Sequence, residues 1–553
     1  MTSRFATERF ALDLRLRTRR RGTDGAARVH ARSAAPFVTG AAALLYALSG
    51  TVASAADAPQ AGARGASPGT SAVAAPRALP ADLVAATDRI FEDYRLDAHV
   101  PGLVYGIVID GRLVHVRGFG VQDLDSGRRV DADTLFRIAS MTKAFTALTV
   151  LKLRDDGRVR LDALAEDYVP ELRGWTYPTA DSPRIRVRDL LNHTAGFVTD
   201  DPWGDRQTPL PEAEFSRLLR AGVPFTRAPG TAFEYSNLGY ALLGRIVTNA
   251  SAQPYAETID RVLLRPLGLR SSGFRYDAAP AERRALGYRW EEDAWRREPD
   301  LAHGAFGAMG GLQTSASDYA KWVAFLLDAW PARDGADAGA VRRATVRELA
   351  TGSNFPSVRA RFGRSGADAC RQAATYGMGM IAAADCDLGL TLSHGGGYPG
   401  YGSHVLLLPD HGIGIFAFAN RTYAGPSGAV WDAAMALHGA GLLTGRTIPV
   451  SAELAEAYRV AGRLYAAGSV EPVRDRLAMN FLLDRDEDGW QRELARLRAQ
   501  VGECRTDGDL TASGAHSGGF RWTCERGHLV GSLLLAPTRP AGIQALRLAP
   551  AKP

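Results

Sequence analysis

Ser140 and Lys143 stand three residues apart in Ser140-Met141-Thr142-Lys143. On a helix that spacing puts hydroxyl and amine on one face, one turn apart, where the amine can take the serine's proton and make it a nucleophile. Lysine is scarce here: Lys143, Lys152, Lys321 and Lys552 are the only four among 66 basic residues. Arginine serves wherever a generic positive charge will do. It stays protonated in proteins, whereas a crowded lysine can lose its proton and act as a base. One Ser-x-x-Lys is expected by chance about 0.2 times in such a chain, so the pair needs company. Tyr235-Ser236-Asn237 is the only Tyr-x-Asn in a chain with six asparagines. His394-Gly395-Gly396-Gly397 closes an apolar run, and its glycines allow backbone amides to approach a ligand closely. Leu191-Asn192-His193-Thr194-Ala195-Gly196 lies between the lysine and the tyrosine.

The elements that must hold these residues are legible in the apolar spacing. Asp82–Tyr94 has helical periodicity, and Leu103–Ile109 with Leu113–Phe119 reads as a hairpin turning at Asp110-Gly111. A helix is expected from Ser140 to about Arg154; its body is nearly all apolar and should be buried. Residues 155–330 read as helices and loops punctuated by proline and glycine. Strands follow at Leu388–Ser393, Val405–Leu408 and Ile413–Ala419, then a helix at Trp431–Leu442. Strands, helical block, strands, helix: that order predicts an α+β domain, its single antiparallel sheet assembled from both ends of the segment, with the helical block beside it. Beyond Pro449, helical patterns at 452–467 and 488–501 and a hairpin around Arg526-Gly527 predict a small C-terminal α+β domain.

Taken in order, these segments resemble the β-lactamase-related serine hydrolases, a superfamily of class C β-lactamases, D-alanyl-D-alanine carboxypeptidases, D-aminopeptidases and esterases. Phe136 to Lys143, Tyr235 to Tyr240, Arg265-Pro266-Leu267-Gly268-Leu269, Gly310-Gly311-Leu312 with Ser317-Asp318, and His394 to Gly400 carry the likeness, over about residues 80–440. Each motif is weak alone; the ordered set is specific. The resemblance implies that Ser140 is acylated and that Lys143 helps deprotonate it. Tyr235 would act as general base or share a proton with Lys143, and would protonate the leaving group. Asn237 would orient Lys143 and contact the substrate's amide side chain. The amides of Ser140 and Gly397 would form the oxyanion hole, with Gly395 and Gly396 allowing close approach. His193 reads as a structural brace, and His303, His404 and His411 carry no signal. Many β-lactamases have Lys-Thr-Gly where this chain has His394-Gly395-Gly396, so a permanent carboxylate anchor is lost. A histidine there is expected to bind a carboxylate only when protonated, setting an acid limb near its ordinary pKa of about 6.5. The expected substrates are D-amino-acid peptides first, carboxylic esters second and β-lactams third. A penicillin-binding sensor or scaffold is the competing class, but it would be expected to lose Ser140, Lys143 or Tyr235.

Charge and cysteines frame this reading. Net charge is +6, and residues 1–55 hold nine arginines against Glu8, Asp13 and Asp24, so the remainder is formally neutral. Nucleic-acid binding loses its electrostatic basis. An arginine-rich stretch, the apolar run Phe37–Leu48 and Ala53-Ser54-Ala55 read as an export leader over 1–55. Residues 56–79, mostly Ala, Gly, Pro and Ser, read as a flexible linker. The hydrolase domain is expected over 80–445 and the C-terminal domain over 446–553. Cys370, Cys386, Cys504 and Cys524 suit an exported chain. Their spacing favours local bridges 370–386 and 504–524, although four cysteines admit three pairings. The spacings match no zinc pattern, and neither metal nor cofactor is expected. The expected partner is a small-molecule or peptide substrate. No membrane span is expected once the leader is cleaved, and oligomeric state is not readable.

Overall fold

The computed structural model describes residues 77–551 except 338, 353, 355–356 and 362–369; the leader reading falls outside them, as does most of the linker. Eight strands form one antiparallel sheet in the order Arg112–Gly120, Gly102–Ile109, Ile413–Ala419, Tyr401–Leu408, Gly389–Tyr398, Ile381–Asp385, Arg371–Tyr376, Ser357–Ala360. The first hairpin of the described chain thus pairs with the last strand of this sheet, Leu103 opposite Ala419. Its turn needs two left-handed residues, which Asp110 (φ 49°) and Gly111 (φ 77°) supply.

Alternation along the central strands sorts the core into two layers. Leu103, Tyr105, Ile107 and Ile109, with Ile413, Ile415 and Ala417, face the helices Ala81–Asp97 and Ser427–Gly439. Val104, Val108, Phe416 and Phe418 face the opposite way, onto the core that contains the helix Thr142–Asp155. That helix is buried along nearly its whole length, as its stretch Ala144–Leu153, with Lys152 the one charge in it, requires. The helical block contributes Asn237–Ser251 and Ala316–Leu327 to the same core.

Three differences from the sequence reading matter. The glycine run does not end its strand, which continues through Tyr398 to a Pro399-Gly400 turn with Gly400 at φ 88°. The strands Ser357–Ala360, Arg371–Tyr376 and Ile381–Asp385 were not anticipated, and they extend the sheet outward. Arg77, inside the stretch read as linker, donates to Asp110 at 2.9 Å and to the carbonyl of Leu442 at 3.0 Å.

Residues 452–550 have a third core of their own, in which helices Ala452–Ala467 and Glu487–Val501 pack on a five-stranded antiparallel sheet around Trp522, Tyr465 and Leu494. Both local disulfides form, Cys370–Cys386 and Cys504–Cys524. Among the described residues no helix is long and apolar enough to cross a membrane.

Candidate active site

Ser140 lies in the tight turn Ala139–Met141 that leads directly into the helix Thr142–Asp155. Amides at the start of a helix lack intrahelical partners and carry the positive end of its dipole, and Ser140's is among them. The preceding residue, Ala139, is left-handed at φ 49°, a conformation a non-glycine residue adopts only when its surroundings force it. The surroundings do so. Ser403 Oγ donates to the Ile138 carbonyl at 2.8 Å, and the Ile138 amide donates to Leu312 O at 3.1 Å. A Cβ on Gly396 would stand 2.4 Å from that same Ile138 oxygen and 2.2 Å from Ser403 Oγ, so only glycine lets the strand lie against the Ser140 turn.

Lys143 is fully buried, and its Nζ meets three oxygens: Ser140 Oγ at 3.0 Å, Asn237 Oδ1 at 2.7 Å and the Met309 carbonyl at 3.0 Å. Desolvation pulls its pKa down to about 8, against the opposing pull of the Asp205, Asp201 and Asp200 carboxylates. The polarity of the contacts is informative. Asn237 Oδ1 and a backbone carbonyl can only accept, so they hold two amine hydrogens. In the neutral amine the remaining lone pair then faces Ser140 Oγ, the one partner able to donate.

Tyr235 lies over this amine, with its ring centroid 4.8 Å from Nζ. Desolvation raises its pKa well above 10, despite a counteracting hydrogen bond with Ser140. The phenol is therefore held protonated, and the amine of Lys143 is the more readily deprotonated of the two. His193 holds this tyrosine in place. Its carbonyl accepts from the Glu234 amide at 2.8 Å, its Nδ1 accepts from the Ser236 amide at 3.1 Å, and its ring lies 4.4 Å from that of Tyr235. The bracing role expected of His193 is thus played on the tyrosine segment itself.

Two expected roles need correction. Asn237 orients Lys143, but it is closed to solvent and its Nδ2 donates to Asp201 Oδ1 at 3.0 Å, so it does not face a substrate's side chain. His394 turns inward. Nδ1 donates to the Gly395 carbonyl at 2.6 Å, so Nε2 is the acceptor for the Tyr376 hydroxyl at 3.0 Å. Burial, then the nearby Lys143 charge, lower its pKa to about 4. It is a neutral structural imidazole, without a free nitrogen for a carboxylate.

The remaining glycines sit on an open edge. The strand Gly389–Tyr398 pairs with Ile381–Asp385 only as far as Ser393, leaving 394–398 without a paired strand on that side among the described residues. Tyr398 and Tyr401 close the two-residue turn, so the alternation of antiparallel pairs directs the Gly395 and Gly397 amides to the free side. The side chain of Tyr423 packs against Gly397, where an added Cβ would stand 2.8 Å from Cδ1.

Sequence reasoning missed the acidic segment opposite. Asp200 accepts from the Asn237 and Leu238 amides at 2.6 and 2.9 Å, capping the helix Asn237–Ser251 from 37 residues upstream. Buried Asp205 has its pKa raised to about 7 by desolvation. No local pattern announces such a distant cap. The four residues Cys370, Asp385, Cys386 and Asp387 also converge, but the sulfurs are joined and both carboxylates pair with Arg361.

Residues 87–440, more than half of the chain, match the family described as Beta-lactamase. Protein flp of Staphylococcus aureus (strain COL) is 30% identical over 247 residues, 44% of this chain and 48% of that protein. Esterase EstB of Burkholderia gladioli is 33% identical over 220 residues, 38% of this chain and 55% of its own. The chain thus spans about half the length of the curated relatives it matches. Among solved structures, the octameric penicillin-binding protein homologue from Pyrococcus abyssi aligns with TM-score 0.53 at 21% identity, covering 82% of this chain and 91% of that one. A class C beta-lactamase aligns with TM-score 0.51 at 20% identity, covering 64% and 96%. With this sheet, and with Ser140, Lys143 and Tyr235 gathered at one end of the buried helix, the chain belongs to the beta-lactamase family of serine hydrolases.

Proposed function

We propose that the protein hydrolyses small, uncharged carboxylic esters, and more slowly D-aminoacyl amides, through an acyl-enzyme on Ser140. The observation that carries this reading is the polarity of the Lys143 contacts, which leaves its lone pair to the serine hydroxyl. Ser140 Oγ bonds the carbonyl carbon as its proton passes to Lys143. The oxyanion lies against the Ser140 and Gly397 amides. The leaving group departs with a proton from Tyr235, which Lys143 replaces. Water then repeats the sequence and releases the acid.

Two features favour neutral substrates over β-lactams and carboxylate-terminated peptides. His394 offers no charge where a carboxylate would need one. The surroundings expose aromatic rings: Phe233 beside Tyr235, Trp203 next to the Gly204 that packs on Asn237, and Tyr423 over Gly397. Each is between 42% and 46% exposed, apolar surface that suits an uncharged substrate group. D-amino-acid peptides, first on sequence grounds, therefore stand second. A similar esterase, at 33% identity, supports the ordering.

The test is a panel on the purified protein: p-nitrophenyl butyrate, D- and L-alanyl p-nitroanilide, and nitrocefin. The expected order of kcat/KM is ester, D-anilide, nitrocefin; fastest turnover of nitrocefin would overturn the substrate assignment. We also infer export, from the arginine-rich, apolar and small-residue order of residues 1–55 and from the two disulfides.

A further inference from the structure

We propose that Asp201 is a positioning residue that sets the polarity of the catalytic amine by fixing which way the Asn237 carboxamide faces. This rests on Ser140 and Lys143 working as described above, and it goes beyond them to a residue outside the three motifs. A carboxamide has an accepting end and a donating end of almost the same shape, so its orientation is decided by its neighbours. Among the described residues the Asn237 carboxamide has one hydrogen-bond partner at each end. Lys143 Nζ lies 2.7 Å from Oδ1, and Asp201 Oδ1 lies 3.0 Å from Nδ2. An amine can satisfy either end of the amide. An ionised carboxylate can only accept, so it admits only the NH2 group. Asp201 is thus the one partner that discriminates, and it holds the oxygen toward Lys143.

The consequence reaches the nucleophile. With Oδ1 facing the amine, Asn237 and the Met309 carbonyl take its two hydrogens, and the lone pair is left for Ser140, 3.0 Å away. With the amide reversed, its N–H would claim that lone pair and the serine would lose its base. The adjacent Asp200 keeps the Asn237 backbone in place through bonds of 2.6 and 2.9 Å to the Asn237 and Leu238 amides. Asp200 therefore fixes where residue 237 is, and Asp201 fixes which end of it points inward. Gly204 closes the arrangement, since a Cβ there would stand 2.8 Å from the Asn237 Cβ.

Charge alone is the rival role, and it moves a different observable. The ionisable groups facing Lys143 are the carboxylates of Asp200, Asp201 and Asp205, the imidazoles of His193 and His394, and the phenols of Tyr235 and Tyr240. Removing one carboxylate makes the ammonium less favourable, so Lys143 would lose its proton at lower pH and the acid limb would shift down, with the plateau of kcat/KM intact. Loss of orientation instead lowers the plateau.

The experiment compares kcat/KM against pH for p-nitrophenyl butyrate, and the rate of fluorophosphonate labelling, in wild type, Asp201→Asn, Asp201→Glu and the exchange Asp201→Asn with Asn237→Asp. Asp201→Asn, nearly isosteric at a partly exposed position, is expected to lower the plateau and the labelling rate about 10²-fold, as misplacement of a catalytic group does. Asp201→Glu, which can still only accept, is expected to keep most of the wild-type plateau. The exchange restores an accepting group to Lys143 and should recover about tenfold or more over Asp201→Asn, read above the limb that the new carboxylate raises. A shifted limb with an unchanged plateau in Asp201→Asn, or no recovery in the exchange, would overturn the proposal. Wild-type protein that is not labelled at Ser140 would instead overturn the function proposed above.

Discussion

Lys143 is a buried amine whose neighbours accept two hydrogens and leave it one task, and this makes two residue-scale predictions. Lys143→Arg is expected to be nearly as damaging as Lys143→Ala, because guanidinium keeps the charge but has no lone pair to receive the serine proton. Loss of a general base costs about 10²–10⁴ in rate, so steady-state kcat for p-nitrophenyl butyrate should fall by that order in both; an arginine variant near wild type would reduce Lys143 to an electrostatic residue. The second concerns pH. With the Lys143 pKa lowered to about 8, the neutral amine becomes the main form as pH rises through 8 rather than above 10. Activity should climb along that limb. His394, held near 4, stays neutral across it, so His394→Asn should leave the limb where it is; a limb near pH 6.5 that vanishes in His394→Asn would restore the histidine to the titrating role. The sequence already carried Ser140, Lys143 and Tyr235, the proposed nucleophile, base and phenol, because their residue types and spacing are themselves the signal. It could not carry the state of His394, whose pKa depends on burial, Tyr376 and Gly395. Nor could it carry Asp201 or the Met309 carbonyl, which reach the site only through folding.

At the scale of elements, the strand Gly389–Tyr398 does two things at once: it packs against the Ser140 turn, and it leaves an edge unpaired among the described strands beside it. The glycines divide that work, and alanine substitution should separate them. At Gly396 a Cβ would press on Ser403 Oγ at 2.2 Å and on the Ile138 carbonyl at 2.4 Å, so Gly396→Ala is expected to lower the melting temperature and displace Ser140. At Gly395 the nearest atom is 3.4 Å away, so Gly395→Ala should be tolerated. Thermal melts and fluorophosphonate labelling of both variants decide it: equal effects would mean that the close approach at 396 is not what places the nucleophile. The apolar central strands were legible because they are buried on both faces. A run of three glycines reads as a strand end, since glycine is a poor strand former; here close packing outweighs propensity. The outer strands Ser357–Ala360, Arg371–Tyr376 and Ile381–Asp385 are short and rich in alanine, without the β-branched alternation that announces a strand. They are held instead by contacts distant in sequence, among them the Arg361–Asp385 pair at 2.5 Å and the Cys370–Cys386 bridge.

For the whole molecule, the segment 452–550 encloses its own core, and among the described residues the hydrogen bonds of Lys143 all come from outside it. We expect a chain ended after Thr447 to fold and to keep most of the proposed turnover of p-nitrophenyl butyrate. Residue 446 must be retained, because Arg446 donates to the Leu327 and Trp330 carbonyls at 2.8 and 2.9 Å. Loss of turnover in the shortened chain, with its melting transition intact, would assign the C-terminal segment a part in catalysis. The assembly of one sheet from both ends of the hydrolase segment was legible from element order alone, because the apolar hairpin at 102–120 needs a partner that only the later strands provide. The central claim is that one serine, activated by one lysine, becomes covalently acylated. Intact mass spectrometry of the full-length protein after treatment with a fluorophosphonate tests it most directly. One adduct on wild type, mapped to Ser140 and absent from Ser140→Ala, is the expected result; an adduct that persists in Ser140→Ala, or none on active wild type, would contradict it.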